Sequence, residues 1–132
     1  MIKQPESIEK LVNELSKLPG VGKKTAQRYA YAIVEWPSEQ AAALISAISE
    51  VKERVGKCSV CGNYSETPVC EICQKRDKSV ICVVSYPKDV LAMERVSGFT
   101  GVYHVLGGVI SPIDGVFEDD LNIDGLIKRL DG

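Results

Sequence analysis

The chain has 132 residues, of which 45% are hydrophobic and 26% charged, a balance that favours a packed core and argues against global disorder. It contains no run of about 18 apolar residues, and its first residues lack the apolar stretch of a signal peptide. We therefore expect no membrane association and a cytoplasmic location, where thiols stay reduced. The formal net charge of −2 hides a small basic excess in residues 1–57 and an acidic excess in residues 58–132.

The first segment, residues 1–56, has the periodicity of three helices. Apolar residues recur three and four positions apart in each of them, which predicts one buried face per helix. We expect Ser7 to cap the first helix and Ser38 to cap the third. The three apolar faces are Ile8, Leu11, Val12, Leu15 and Leu18; Ala26, Tyr29, Ala30, Ile33 and Val34; and Leu44, Ile45, Ile48 and Val51.

A Pro-Gly-Val-Gly turn separates the first two helices. Gly20 and Gly22 permit a tight turn that exposes backbone N–H groups at the start of the second helix, where the helix dipole favours an anion such as a phosphate. Lys23, Lys24 and Arg28 add positive charge beside that turn. The pattern predicts a DNA contact that reads the backbone and not the base sequence. A plain helix–helix turn or a protein-binding hairpin is the alternative.

The second segment, residues 57–78, has few large apolar residues and four cysteines. Cys58 and Cys61 form one C-x2-C pair, and Cys70 and Cys73 form another. Two such pairs complete a tetrahedral four-sulfur site of the kind that zinc prefers, and no ligand position is left open for a substrate. We therefore expect one structural Zn²⁺. Two disulfides, four free thiols or an iron–sulfur site are the alternatives.

The third segment, residues 79–132, alternates strands with helices. We expect two strands, the first buried on both faces, and two helices, with a crossover that makes the strands parallel. Cys82 and His104 lie inside the strands and are expected to be core residues, not metal ligands. The strands are predicted at 80–84 and 102–106, and the helices at 88–96 and 121–130.

Taken together and in this order, these features resemble the RecR family of recombination mediators. The resemblance rests on the hairpin at 18–28, the cysteines at 58–73, Ile81–Val84 with Pro87, Asp89, Val90 and Glu94, and the stretches Tyr103–Gly108 and Ser111–Gly115. It implies an α+β protein of several parts: a helix-hairpin-helix domain at 1–56, a four-cysteine zinc finger at 57–78 and a partial α/β Toprim domain at 79–132. Members of this family are longer, so a fragment, a short natural form and a swapped partner all remain open.

The resemblance also implies a function. A RecR-like chain is expected to be a homo-oligomer that binds DNA and acts with RecO and RecF to help load RecA, with no membrane and no small-molecule substrate. Lys24 and Arg28 match basic positions that contact DNA in the family. Such a chain is not expected to be an enzyme.

Two other functions are alternatives to this one. A Toprim-type magnesium-dependent nuclease would need a glutamate at the end of the first strand, where this chain has Ser85. The acidic residues further on are more simply explained as a solvated face and helix-start charge; they are Asp114, Glu118, Asp119, Asp120 and Asp124. The other rival is a protein-interaction fragment that does not bind DNA.

Overall fold

The computed structural model describes residues 3–96 and 98–130. The chain divides into two compact units, residues 1–50 and residues 51–132, called here the N-terminal and C-terminal units. The described residues form six helices, α1 (Glu6–Leu15), α2 (Lys23–Val34), α3 (Ser38–Arg54), α4 (Glu71–Lys75), α5 (Pro87–Glu94) and α6 (Ile123–Leu130), and four strands, β1 (Gly56–Lys57), β2 (Tyr64–Ser65), β3 (Ile81–Val84) and β4 (Val102–Val105).

The core of the N-terminal unit lies between α1 and α2. Val12 of α1 packs on Ala26 and Ala30 of α2, and all three residues are buried. The two alanines are one turn apart and lack bulk, so the helices approach closely. Partly buried residues surround this contact; they are Ile8, Leu11, Leu15 and Val21. The predicted apolar faces of α1 and α2 are confirmed here, although Leu18, Tyr29 and Val34 are about half exposed.

The expected serine caps are wrong. The first helix begins at Glu6, with Pro5 at its N-cap, so Ser7 lies within the first turn. The third helix begins at Ser38 itself, and the carbonyl of Pro37 accepts the amides of residues 40 and 41. In both cases a proline takes the N-cap position, two residues before Ser7 and one residue before Ser38.

The apolar face of α3 was predicted to be buried, and this is wrong. None of the 17 residues of α3, all of which the structure describes, is buried. Leu44, Ile45, Ile48 and Val51 are between 41% and 66% exposed. Sequence periodicity identifies which side chains share a helix face, but it does not supply a partner for that face.

The C-terminal unit is built on a parallel pair of strands. Residues of β3 and β4 pair in register from Ile81 with Val102 to Val84 with Val105, as the predicted crossover requires. Helix α5 connects the strands, and its Val90 packs beneath β4 on Tyr103 and Val105. Every residue of β4 is buried. The strand–helix–strand prediction is therefore confirmed, with boundaries shifted by one or two residues.

The prediction that the first strand is buried on both faces is wrong. Val83 in β3 is 45% exposed and Val80 just before it is 57% exposed, whereas Cys82 and Val84 pack toward α5. The zinc-finger segment lies along the edge of β4 opposite β3, where the Val105 amide donates to the carbonyl of Cys61. In this two-stranded sheet β4 is the strand that is buried along its whole length.

The remaining elements are short. β1 and β2 form an antiparallel hairpin ahead of α4. Two single 3-10 turns, at Pro112–Asp114 and Glu118–Asp120, precede α6 and hold most of the acidic residues of this region. Within the part of the chain that the structure describes, no helix has the length and apolar character needed to cross a bilayer.

Candidate metal centre and nucleic-acid hairpin

The structure brings the four predicted metal ligands together. The sulfur atoms of Cys58, Cys61, Cys70 and Cys73 all lie within 4.8 Å of one another, and all four residues are buried. The sulfurs of Cys61 and Cys70 are 3.7 Å apart. None of the five cysteines forms a disulfide, which removes that alternative for this structure. Four converging thiols are the ligand set of structural zinc sites.

Backbone amides lower the pKa of the Cys58 thiol and so favour its thiolate form. Burial opposes ionisation of Cys58, but the amides of Cys70 and Cys61 donate to its sulfur from 3.3 and 3.5 Å and outweigh burial, so its pKa falls to about 6. Burial raises the pKa of Cys61 to about 12, and the neighbouring thiols add to that rise. Burial, together with the neighbouring thiols of Cys61 and Cys70, also raises the pKa of Cys73. A divalent cation among these sulfurs reverses that repulsion and favours the thiolates.

The turn formed by Cys58 and Cys61, called here the first knuckle, is joined to the strand pair of β3 and β4. Gly62 adopts a left-handed φ of +82°, which turns the chain so that the Asn63 amide reaches the sulfur of Cys61 at 3.4 Å. The carbonyl of Cys61 accepts the amide of Val105 in β4 at 2.7 Å. A Cβ at position 62 would lie 3.0 Å from the carbonyl oxygen of Val105. Glycine is therefore required here for both turn geometry and close approach.

The second knuckle, formed by Cys70 and Cys73, is joined to α5 and β4 by an ion pair and a hydrogen bond that share one carboxylate. Arg76, directly after α4, pairs through both terminal nitrogens with the carboxylate of Glu94, the last residue of α5. The hydroxyl of Tyr103 in β4 donates to the same carboxylate. Arg76 and Tyr103 hold the pKa of Glu94 below its usual range, whereas burial and the carboxylate raise the pKa of Tyr103 to about 12. Sequence reasoning missed this triad, because its members are distant in the chain.

His104 and Cys82 have the structural roles expected of them. His104 is completely buried in β4 and both of its ring nitrogens have protein partners. Cys82 is half-buried in β3 and packs in the cluster around Val90. Neither residue belongs to a cluster of potential metal ligands among the described residues.

The hairpin between α1 and α2 has the geometry that the sequence predicted. Gly20 has a φ of +78°, and Gly22 is the extended N-cap of α2. Because glycine has no side chain, no side-chain cap occupies the amides of the first turn of α2. These amides and the positive end of a 12-residue helix dipole are suited to a phosphate oxygen.

The basic residues of the hairpin are accessible. Lys23, Lys24 and Arg28 are all exposed. The ion pairs of Lys10, Lys17, Lys75 and Arg76 lie elsewhere in the described residues. Lys24 and Arg28 are one turn apart on α2 and so share a face of the helix. The hairpin therefore presents free positive charge beside open amides.

The acidic residues that the structure describes in the C-terminal unit do not converge into a group of three or more that could hold a metal ion. Ser85 follows the last residue of β3, where a Toprim enzyme would need its glutamate. Among the described residues, three or more potential metal ligands converge only at the four cysteines. The carboxylates of Asp114 and Asp120 instead accept local hydrogen bonds from Ser111 and from the amide of Phe117.

Three family models match the chain in sequence order. The RecR helix-hairpin-helix model matches residues 8–52, the model of the RecR zinc finger domain with four cysteines matches residues 55–74, and the Toprim domain model matches residues 79–131. The four cysteines between residues 55 and 74 are the four whose sulfurs converge. The chain therefore carries a four-cysteine zinc finger with one structural zinc ion.

Curated relatives extend this match over nearly the whole chain. The chain is 52% identical over 125 residues to a protein of Tropheryma whipplei, 51% over 126 residues to one of Bifidobacterium adolescentis and 48% over 128 residues to one of Enterococcus faecalis, each named "Recombination protein RecR". These alignments cover 93%, 94% and 96% of this chain and 63%, 63% and 65% of the relatives. With its hairpin, its zinc finger and its Toprim region matched in one order, the chain belongs to the RecR family.

Proposed function

We propose that this chain is a DNA-binding recombination mediator without catalytic activity of its own. The observation that carries the proposal is the hairpin of the N-terminal unit, where open amides at the start of α2 adjoin exposed Lys23, Lys24 and Arg28. The relatives named recombination protein RecR support the biological setting.

In this proposal a DNA phosphate binds at the N-terminus of α2. Gly20 and Gly22 provide the turn, the first-turn amides donate to a phosphate oxygen, and the dipole of α2 adds to the attraction. Lys24 and Arg28 contact the next phosphates along one strand, because they lie on the same face of the helix. Every contact is to the backbone, so binding is expected to be independent of base sequence and sensitive to salt.

The zinc ion has a structural role in this proposal. We assign its ligands as the thiolates of Cys58, Cys61, Cys70 and Cys73, which leave no position for a water or substrate. The site orders a segment that has a small apolar core of its own, consisting of Val60, Val69 and Ile72 around the cysteines. Reduced cysteines of this kind fit a cytoplasmic protein.

The partners are inferred from the family. We propose that the chain acts with RecO and RecF to help load RecA, and that it does so as a homo-oligomer. An oligomer would compensate for the low positive charge of one N-terminal segment. Residues 1–57 carry nine Lys or Arg against seven Asp or Glu, so one hairpin alone should bind DNA weakly. Several hairpins on one assembly raise the affinity through effective concentration.

Fluorescence anisotropy with a labelled duplex tests the proposed DNA contact. The full chain should bind at low salt and weaken as salt rises, and Lys24→Glu/Arg28→Glu should reduce affinity on the order of tenfold or more. The matched control is Lys10→Glu/Lys17→Glu, which makes the same charge change on exposed side chains in α1 and just after it. Equal loss in both double variants would show a general charge effect and contradict a specific hairpin contact.

Native mass spectrometry of the same sample tests the oligomer and the zinc ion together. The expected result is an assembly of more than one chain with one zinc per chain. A zinc-loaded monomer that binds DNA as well as the assembly does would contradict the role given to multiple hairpins.

A further inference from the structure

A cleft of about 430 Å³ lies at the carboxyl ends of β3 and β4 in the C-terminal unit. The hairpin of the zinc finger contributes Lys57 and Tyr64 to its wall, and the loops that follow the two strands contribute Tyr86 and Gly107. A second cleft of about 290 Å³ shares Tyr64 and Tyr86 and adds Lys88. The carboxyl edge of parallel strands is a common position for ligands in α/β folds. We refer to the two together as the tyrosine cleft.

The two aromatic rings of the tyrosine cleft are accessible. Tyr64 is 61% exposed and Tyr86 is 42% exposed, although both belong to ordered elements at the end of a hairpin and the start of a helix. Tyr86 is held in place because its amide donates to the carboxylate of Asp89, three residues later in α5. A tyrosine side chain has only two torsions to order, so a planar group that stacks on its ring costs less entropy than one that orders a long flexible side chain.

Two lysines lie beside these rings, and the nearby Asp89 carboxylate accepts the Tyr86 amide. Lys57 and Lys88 are exposed, and the ammonium of Lys88 lies 5.5 Å from the centroid of the Tyr86 ring. The described residues that line the two clefts include no carboxylate side chain. Exposed aromatic rings beside lysines are the combination with which proteins bind single-stranded nucleic acids, because bases stack on the rings while cations contact the phosphates.

We propose that the tyrosine cleft binds unpaired nucleotides of a single-stranded nucleic acid, with bases stacked on Tyr64 and Tyr86 and phosphates near Lys57 and Lys88. This site is separate from the hairpin of the N-terminal unit and does not depend on it. A duplex cannot use the site in this way, because its bases are already stacked on one another. Every base has an aromatic face, so the site tolerates any sequence.

The overall charge of the C-terminal unit determines how this binding should respond to salt. Residues 51–132 carry ten Lys or Arg against twelve Asp or Glu, so the unit as a whole does not attract nucleic acid. Two lysines at two phosphates give an expected slope of about −1.4 for log affinity against log salt. Stacking is then the larger contribution, and the binding is much less sensitive to salt than a groove with many phosphate contacts.

The test measures anisotropy of a fluorescein-labelled oligothymidylate of about 12 nucleotides with the full chain carrying Lys24→Glu/Arg28→Glu, so that the hairpin contribution is reduced. Tyr64→Leu and Tyr86→Leu should each lower affinity about fivefold or more, and Tyr64→Phe and Tyr86→Phe should retain it, because phenylalanine stacks and leucine does not. Phe117→Leu is the matched control, since Phe117 is 55% exposed in the same unit and lies outside the cleft.

An abasic oligonucleotide of the same length separates stacking from charge. The chain with Lys24→Glu/Arg28→Glu should bind the abasic strand at least about fivefold more weakly than oligothymidylate. Adding either leucine substitution should not weaken binding of the abasic strand further. Unchanged oligothymidylate affinity in both leucine variants, or equal affinity for the abasic strand, would overturn the proposal and leave the cleft to a protein partner. The hairpin is tested separately by duplex binding of Lys24→Glu/Arg28→Glu, so either site can fail alone.

Discussion

The guanidinium of Arg129 donates a hydrogen bond of 3.1 Å to Nδ1 of the buried His104. Nε2 of the same ring donates to the carbonyl of Asn122 at 2.7 Å, since the other nitrogen must accept from the permanently charged arginine. Arg129 also donates to the carbonyl of Tyr103. β4 and α6 are therefore joined through a neutral imidazole with a fixed tautomer.

This arrangement predicts that stability falls in mildly acidic solution. Burial lowers the pKa of His104 below its ordinary 6.5, and the charge of Arg129 lowers it further, although the Asn122 carbonyl opposes both. Below pH 6.5 His104 becomes protonated in the unfolded chain, whereas in the folded chain it stays neutral until the pH reaches its lowered pKa. Stability present above this pH is thus lost as pH falls toward the folded pKa, by up to about 1.4 kcal/mol per pH unit.

Urea unfolding at about pH 7.5, 6.5 and 5.5 checks this prediction, with zinc content confirmed at each pH. His104 is the one histidine in the chain, so His104→Gln should reduce the slope of stability against pH in this range, while the zinc-bound thiolates keep a pH dependence of their own. A variant that keeps the slope of the parent chain would contradict the role assigned to the imidazole.

Gly62→Ala should destabilise the C-terminal unit by about 1–3 kcal/mol, because alanine must adopt a left-handed φ and its Cβ crowds the Val105 carbonyl. Gly56→Ala is the control: a Cβ there meets no atom within 4 Å and the φ is not left-handed, so we expect a change within about 0.5 kcal/mol. Thermal unfolding of zinc-loaded chains measures both, and equal melting temperatures for the two variants would count against the knuckle geometry.

Glu94→Gln should cost about 1–2 kcal/mol, because the carboxylate accepts hydrogen bonds from both Arg76 and Tyr103 and is only 27% exposed. Since the folded pKa of Glu94 is lowered below 4.5, this contribution is complete above pH 4.5 and is lost as pH falls through the folded pKa. Urea midpoints at neutral pH measure the effect. Glu71→Gln, which breaks an exposed pair with Lys75, should leave the midpoint unchanged.

Zinc removal should unfold the cysteine knuckles and loosen the strand pair to which they are joined by the Val105–Cys61 hydrogen bond. Cys73→Ser should lose the zinc ion and the cooperative melting of residues 51–132, whereas Cys82→Ala should keep one zinc per chain. Metal content by mass spectrometry and hydrogen exchange of residues 57–75 and 102–105 give the readout. Full protection of both segments after verified zinc removal would show that zinc is not needed for this fold.

The elements that the sequence predicted correctly depend on neighbours in the chain. The cysteine spacing predicted a four-sulfur site, and the glycines before Lys23 predicted the open start of α2, because each is set by a few consecutive residues. The strand–helix–strand unit was predicted for the same reason, since a change of period from helical to extended is a local signal.

The family assignment also came from order and spacing along the chain. Hairpin, zinc finger and Toprim region follow one another in the sequence, and the family models match them at 8–52, 55–74 and 79–131. Which residues contact DNA stays a prediction, tested by the hairpin variants.

Features that join distant residues were decided only by the tertiary structure. The face of α3 was expected to be buried and is exposed, because periodicity does not provide a packing partner. The triad of Arg76, Glu94 and Tyr103 and the cleft that brings Tyr64 near Tyr86 have no signal in the sequence. Sequence determines which side chains share a local face or turn, whereas contacts between elements depend on how those faces pack against one another, which is a property of the whole folded chain.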